Sequence, residues 1–192
     1  MITLCMIVKN EEALLKPLLK RMAHMPMVIV DTGSADRTPD IIRSSGAQMV
    51  KYPLEMDFAA ARNAGLDLVA TPWVLSLDAD EWPSDTLLTW LRDFEKAGAS
   101  SRYRAITLLR ENRIGGNLLP APRDYERHIR LFRRYLRYVG RLHEHIVCLS
   151  KDVVAAPDAA LLLHHKTQAR QEAQNQFYAQ WPEQPRRADA AV

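Results

Sequence analysis

The chain has 192 residues, of which 47% are apolar and 26% are charged, and its net charge is +3. These values are typical of a single globular domain that folds without disulfides or a structural metal. Its two cysteines, Cys5 and Cys148, exclude a disulfide framework, and their apolar neighbours predict reduced side chains in a cytoplasmic protein. No apolar run reaches the roughly 18 residues that a membrane-spanning helix needs.

Strand and helix patterns alternate through the first half of the chain. Short, almost continuous apolar runs predict buried strands at residues 2–8, 27–30 and 73–77, and a further strand is predicted at 47–52. Apolar residues at helical spacing predict helices around residues 14–22 and 41–42, and over 58–69 and 84–96. This alternation predicts an α/β domain in which helices flank a mainly parallel, Rossmann-like sheet.

The pattern changes after about residue 100, where we predict a smaller mixed β region. A strand is predicted at 103–109, and the glycines and prolines that follow predict a long loop over 110–128. Further short strands are predicted at 129–132, 146–149 and 160–163. A Gln-rich helix over 167–181 and a frayed tail over 182–192 complete the chain.

Charge is unevenly distributed along the chain. Residues 1–101 hold 10 Lys and Arg against 14 Asp and Glu, whereas residues 102–141 hold 11 Arg against three acidic residues. A basic block of this kind predicts a phosphate-bearing partner or an anionic surface. Arginines that keep a strand edge solvated are the structural alternative.

Asp78 and Asp80 follow a predicted buried strand with one residue between them. In open α/β sheets, ligands bind beyond the carboxyl ends of the strands. Two carboxylates at this spacing can reach one hard cation, and oxygen ligands suit Mg²⁺ or Mn²⁺. The alternative is that Asp80 and Glu81 only favour the positive end of the following helix.

Two more segments place polar groups where a ligand can bind. Asp31 and Thr32 end a strand, and Gly33 allows a tight turn that leads into a helix N-terminus, where anions bind. Arg62 is the one charge in a helical stretch of small residues. A capped turn and a structural ion pair are the simpler interpretations of these two features.

Four segments point to a single protein family when they are taken together and in order. They are MIVKNEE (6–12), VDTGSAD (30–36), AARNAG (60–65) and LSLDADE (75–81). With them the chain resembles the family 2 inverting glycosyltransferases of GT-A fold, in the bacterial branch that includes lipopolysaccharide-core glucosyltransferases. The resemblance covers about residues 1–166, and segments 130–132 and 140–144 match more loosely.

The resemblance implies a division of the chain into parts. Residues 1–166 form the GT-A domain, with a nucleotide-binding half (1–100) and an acceptor and catalytic half (101–166). Residues 167–192 form a C-terminal helix and tail.

The resemblance also implies roles for individual residues. The sugar donor's nucleotide and diphosphate lie near Val8, Asn10, Glu11, Asp31, Arg62, Asp78, Ala79 and His143. The metal ligands are Asp80 and His164, and the metal is Mg²⁺ or Mn²⁺. Many relatives carry a second Asp where this chain has Thr32, so the uridine preference of the family is in question at this position.

The reaction that the resemblance implies needs a base from the second half of the chain. The candidates are Glu111, Asp124, Glu126 and Glu144. We predict Glu144, because it lies between two histidines near Arg141 and matches a His-Glu motif of the branch. A charge-paired surface glutamate is the alternative.

The expected activity is transfer of a sugar from a nucleoside-diphosphate donor, a UDP-sugar, to a hydroxyl of a glycan or a lipid-linked acceptor. The expected setting is cell-envelope glycan or lipopolysaccharide synthesis at the inner face of the membrane, where the arginine-rich region 102–141 contacts anionic lipid. No nucleic acid partner is expected, since no nucleic-acid motif is visible. The alternatives are a non-catalytic sugar-nucleotide-binding module and a nucleotidyltransferase on a similar sheet.

Overall fold

A computed structural model describes residues 1–97 and 102–180. The strands are β1 (Ile2–Val8), β2 (Met27–Asp31), β3 (Gln48–Lys51), β4 (Trp73–Ser76), β5 (Glu81–Pro83), β6 (Ala105–Ile114), β7 (Asn117–Leu118), β8 (Tyr125–Arg133), β9 (Tyr138–Val139), β10 (His145–Ile146), β11 (Val153–Ala155) and β12 (Leu161–Lys166). The helices are α1 (Glu12–Met22), α2 (Thr38–Ser44), α3 (Phe58–Leu66), α4 (Asp85–Lys96) and α5 (Gln168–Ala179).

One large sheet organises the fold, with the strand order β3-β2-β1-β4-β8-β6-β12-β5. Strands β3, β2, β1 and β4 run parallel to one another, as expected for strands joined by helices. Antiparallel pairs begin where β8 joins β4 and β6. The predicted α/β fold, with its mixed β region in the second half, is confirmed.

Helix α3 lies very close to the sheet because of one glycine. A Cβ added at Gly65 would lie 2.8 Å from Cγ2 of Val30 and 2.9 Å from Sγ of Cys5. Both neighbours are buried. This close approach holds α3, which carries Arg62, against β1 and β2.

Replacing Gly65 with Ala should therefore lower the free energy of unfolding by about 1–3 kcal/mol, the usual cost of overpacking a core. Helix propensity alone would instead stabilise the variant by roughly 0.5–1 kcal/mol. Urea unfolding separates the two outcomes. A variant as stable as wild type would show that Val30 and Cys5 can shift away from the added methyl group without loss of stability.

The prediction of a long loop over 110–128 was wrong, because most of this segment forms strands. Strand β6 continues to Ile114, Gly115 and Gly116 form a two-residue turn with positive φ angles of 57° and 84°, and β8 begins at Tyr125. The strands are polar, yet their charges pair across the sheet: Arg110 lies directly opposite Glu126 and binds it. Cross-strand pairs of opposite charge stabilise such strands where apolar alternation is missing.

Smaller differences concern element ends. Helix α3 ends at Leu66 rather than at residue 69, and the strand predicted over 146–149 is reduced to β10. The short strands β5, β9 and β11 were not predicted, because two or three residues carry no periodic signal. The predicted tail over 182–192 lies outside the described residues.

Candidate active site

A cleft of about 760 Å³ opens beyond the carboxyl ends of β1, β2 and β4. Every residue predicted for the site lines it, except Asp31. These are Val8, Asn10, Glu11, Arg62, Asp78, Ala79, Asp80, His143, Glu144 and His164. The fold thus brings together side chains from both halves of the chain.

Asp31 lies beside the cleft and Thr32 lines it, and both make structural contacts. Asp31 is buried, and its carboxylate accepts a hydrogen bond from the backbone N–H of Ser34 at 3.0 Å. The Thr32 hydroxyl donates to the carbonyl of Val8 at 3.0 Å. Asn10, which has a positive φ of 55°, accepts from the N–H of Ala35 through Oδ1. These contacts fix the loops after β1 and β2 against each other.

Arg62 joins the two halves of the site. Its Nη2 donates to Oδ1 of Asp78 and its Nε to Oε1 of Glu144, both at 2.7 Å. Burial opposes the charge of this guanidinium, but Asp78, the Tyr138 hydroxyl and Glu144 raise its pKa above the ordinary value. Arg62 therefore remains charged and holds Glu144 beside Asp78, although 82 residues separate Glu144 from Arg62.

Asp78 is bound by two arginines. Its Oδ2 accepts from Arg130 at 3.0 Å, while Oδ1 accepts from Arg62. Burial would raise the pKa of Asp78, but the charges of Arg62 and Arg130 outweigh it and lower the pKa. With both oxygens paired to guanidinium groups, Asp78 organises the cleft.

Glu81 is a buried counter-charge for Arg130 and for a further arginine, Arg110. It is 1% exposed, and its Oε1 accepts from Arg130 and from Arg110, the latter at 3.2 Å. Its other oxygen accepts from the backbone N–H of Asp78 at 3.1 Å. Sequence reasoning missed Glu81, Arg110 and Arg130 as site residues. The available signal was that Arg110 and Arg130 stand next to apolar residues of predicted strands.

Asp80 faces three basic groups. Its Oδ2 lies 3.5 Å from Nε2 of His164, 3.4 Å from Nε of Arg170 and 3.6 Å from Nζ of Lys166. Burial would raise the pKa of Asp80, but the hydrogen bond and charge of His164, together with Lys166, lower it. Within residues 1–97 and 102–180, no group of three or more His, Cys, Asp or Glu is placed to hold a metal ion.

Helix α5 lies across the cleft. The sequence predicted this helix but not its position. Arg170 donates to Oε1 of Glu11 at 2.5 Å and so joins α5 to the end of β1. Burial raises the pKa of Glu11, although Arg170 opposes the shift. Phe177 and Tyr178 line the cleft, and the ring centroids of Tyr178 and His143 lie 6.2 Å apart. The weak amphipathic pattern of α5 gave no sign of this docking.

The partner of Glu144 also differs from expectation. Arg141 is near Glu144 in the sequence, but its guanidinium donates to the carbonyls of Glu55 and Met56. Glu144 is paired with Arg62 instead.

The arginine block does not form one surface. Arg110 and Arg130 belong to the ion pairs around Glu81, whereas other arginines line a separate cleft of about 460 Å³ with Tyr103 and Tyr135. Those arginines are Arg102, Arg104, Arg133 and Arg134. Among the helices that the structure describes, none has the length and apolar character to cross a bilayer. Contact of this region with an anionic membrane stays a prediction.

Comparison with known proteins agrees with the fold. Over 147 residues the chain is 33% identical to a TPR repeat-containing protein of Synechococcus elongatus, covering 74% of this chain and 34% of that protein. The solved structure of S. aureus TarS matches 85% of this chain with a TM-score of 0.59 and 14% identity. A shorter TarS chain in complex with UDP-GlcNAc matches 86% with a TM-score of 0.56 and 16% identity.

The chain spans only about a third of these longer relatives, 34% of the TPR protein and 36% of TarS. The fold is that of the GT-A glycosyltransferases. Residues 3–138 match the family described as Glycosyl transferase family 2, and the chain belongs to this family.

Proposed function

We propose that this domain is an inverting glycosyltransferase that uses a nucleoside-diphosphate sugar, a UDP-sugar, and a hydroxyl acceptor. The observation that carries the proposal is the cleft in which Arg62 joins Asp78 of the first half to Glu144 of the second. The TarS structures named for their complexes with UDP and UDP-GlcNAc share this fold and support the choice of donor. An acceptor of the lipopolysaccharide-core type belongs to the proposal through the sequence resemblance.

Asp80 and His164 are the side chains that would hold a divalent cation, once Lys166 and Arg170 move off the carboxylate oxygen that they face. Mg²⁺ and Mn²⁺ usually bind through one or two carboxylates together with substrate phosphates, and Asp80 and His164 supply one carboxylate and one imidazole. When bound, such an ion neutralises charge on the leaving diphosphate. Lys166 and Arg170 lie within 3.6 Å of Asp80 and add positive charge on the same side of the cleft.

Glu144 is placed to act as the base. The acceptor hydroxyl would give its proton to a carboxylate oxygen of Glu144 while its oxygen bonds to the anomeric carbon. The bond from that carbon to the diphosphate breaks, and the nucleoside diphosphate leaves with the bonding electrons. Arg62 orients the Glu144 carboxylate through the 2.7 Å hydrogen bond.

The non-catalytic module remains the second candidate, and it differs in one testable respect. Such a module would bind the sugar donor but would not need a carboxylate held in the cleft. A nucleotidyltransferase would bring a Gly-rich basic loop after β1, where this chain has Lys9, Asn10 and Glu11.

Replacing Asp80 with Ala should abolish the gain in UDP affinity that Mn²⁺ provides. A panel of nucleotides is first screened for thermal stabilisation with and without Mn²⁺, since a ligand at 100 times its Kd stabilises by about 2.7 kcal/mol. Calorimetry of UDP is then repeated on Asp80→Ala and on Asp85→Ala, an exposed carboxylate outside the cleft. Mn²⁺-enhanced affinity that survives in Asp80→Ala would contradict the assignment of Asp80. No nucleotide binding in any form would contradict the proposed function.

A further inference from the structure

Helix α5 is held over the cleft by its only basic side chain. Arg170 is the one Lys or Arg in this helix, and its Nη2 donates to Oε1 of Glu11 at 2.5 Å. Its Nε lies 3.4 Å from Oδ2 of Asp80. Glu11 follows β1 and Asp80 follows β4, which are paired strands. Arg170 is therefore a counter-charge shared by two carboxylates of the cleft.

The rest of α5 is lightly packed, since none of its residues is buried. The ring of Phe177 lies edge to face against Phe58, with centroids 6.4 Å apart, and Tyr178 lies beside His143. Segments with few buried apolar contacts open locally at a small cost in free energy. The ion pairs of Arg170 are thus a large part of what holds this helix in place.

The chain has a natural pivot at Thr167, between β12 and α5. Strand β12 is fixed in the sheet, because it pairs with β6 from Leu161 to Lys166. Thr167 has extended backbone and caps α5, since its hydroxyl accepts from the N–H of Arg170 at 3.2 Å. Hinges are usually such positions at the end of an element. A rotation there would carry Arg170 away from Asp80, while the backbone of Lys166 stays in the sheet.

The closed position of α5 leaves Glu11 incompletely paired. Arg170 binds its Oε1, but its Oε2 is buried and accepts no hydrogen bond from any residue that the structure describes. An unpaired buried carboxylate oxygen costs free energy. The closed position is therefore less favourable than its ion pairs alone would make it.

We propose that α5 is an autoinhibitory strap: Arg170 holds Glu11 and Asp80 in the closed position, and α5 moves away when the donor diphosphate and its cation bind there. The choice of ligand rests on the proposed function, whereas the anchoring of α5 by Arg170 does not. For a ligand that binds only the open form, the apparent Kd is the intrinsic Kd divided by the open fraction. Loosening the strap should therefore tighten binding.

Direct binding of the diphosphate by Arg170 is the competing explanation, because arginine is a common partner of phosphate groups. The two explanations differ in the sign of one effect. Loss of a direct contact would weaken UDP binding, whereas loss of the strap's anchor would strengthen it.

Calorimetry of UDP binding with Mg²⁺ present measures that sign. Affinity should rise by roughly 3–10-fold in Arg170→Gln, because two partly exposed ion pairs hold the closed position. Glu172→Gln is the matched control, since Glu172 is exposed on the same helix and does not line the cleft. It also loses one charge, and it should bind UDP like wild type.

The position of α5 is measured separately, by the distance between two spin labels. The labels are attached at Lys16→Cys on α1 and Gln176→Cys on α5, both exposed, in a Cys148→Ser background, since the other native cysteine, Cys5, is buried. Mg²⁺ is the cation used, because Mn²⁺ is paramagnetic and would disturb the labels. We expect one distance in ligand-free wild type and a second one after addition of UDP and Mg²⁺. Ligand-free Arg170→Gln should already show the second distance.

Lower or unchanged UDP affinity in Arg170→Gln would overturn the proposal. An unchanged distance in wild type that has bound UDP, or in ligand-free Arg170→Gln, would overturn it too. Failure of every form to bind UDP would instead count against the proposed function, and the ligand-free distances would still decide whether Arg170 anchors α5.

Discussion

Replacing Glu144 with Gln should lower turnover by a factor on the order of 10²–10⁴ while donor affinity stays near wild type. The substitution keeps the shape of the side chain and an oxygen that accepts from Arg62, whose Nε lies 2.7 Å away. It removes the ability to take up the proton of the acceptor hydroxyl. The measurement is steady-state turnover with the sugar donor that the stabilisation screen identifies, together with calorimetry of donor binding.

The structure favours Glu144 over the other candidate bases. Glu144 lines the main cleft, whereas Glu111, Asp124 and Glu126 do not. Glu111 is paired with Arg113, and Glu126 is tied to Arg110 and Asn112.

Asp124→Asn is a suitable control for this test, because it removes a carboxylate of the second half outside the cleft and should leave turnover unchanged. Turnover near the wild-type rate in Glu144→Gln would show that another residue is the base. Glu126 would be the next residue to test, since it borders a neighbouring pocket of about 200 Å³ that shares Arg110 and His164 with the main cleft.

The first half of the fold could be predicted because three of its strands, β1, β2 and β4, are mostly apolar and buried. In β2, every residue from Met27 to Asp31 is buried, and the helices between strands show clear apolar spacing. The polar ends of β1 and β4 then placed Asn10, Asp78 and Asp80 at one edge of the sheet. Local pattern and the rule for ligand position in α/β sheets were sufficient there.

The second half could not be predicted in the same way, because its stability depends on contacts between distant residues. The strands β6 and β8 carry charges that pair only once the sheet has formed, as Arg110 does with Glu126. The same holds for the pair of Arg62 with Glu144 and for the docking of Arg170 on Glu11. Such pairs have no sequence period, so their partners become visible only in three dimensions.

Replacing Glu81 with Gln should lower the free energy of unfolding by about 3–5 kcal/mol, the usual cost of removing one partner from a buried ion pair. The Glu81 side chain is fully buried, and its charge is shared between Arg110 and Arg130. Arg130 is itself only 9% exposed. Without the carboxylate, its buried guanidinium would retain Asp78 as its remaining counter-charge.

Asp85→Asn provides the matched control for this loss. Asp85 also pairs with an arginine, Arg21, but its side chain is 94% exposed. Exposed pairs contribute roughly 0–1 kcal/mol, because water screens the charges and the side chains lose freedom when they pair. Urea unfolding of wild type and both variants gives the comparison. Unfolding of Glu81→Gln at nearly the same urea concentration as Asp85→Asn would contradict the prediction. Water or a rearranged Glu126 would then balance the charges of Arg110 and Arg130, and Glu81 would not be what holds them beside Asp78.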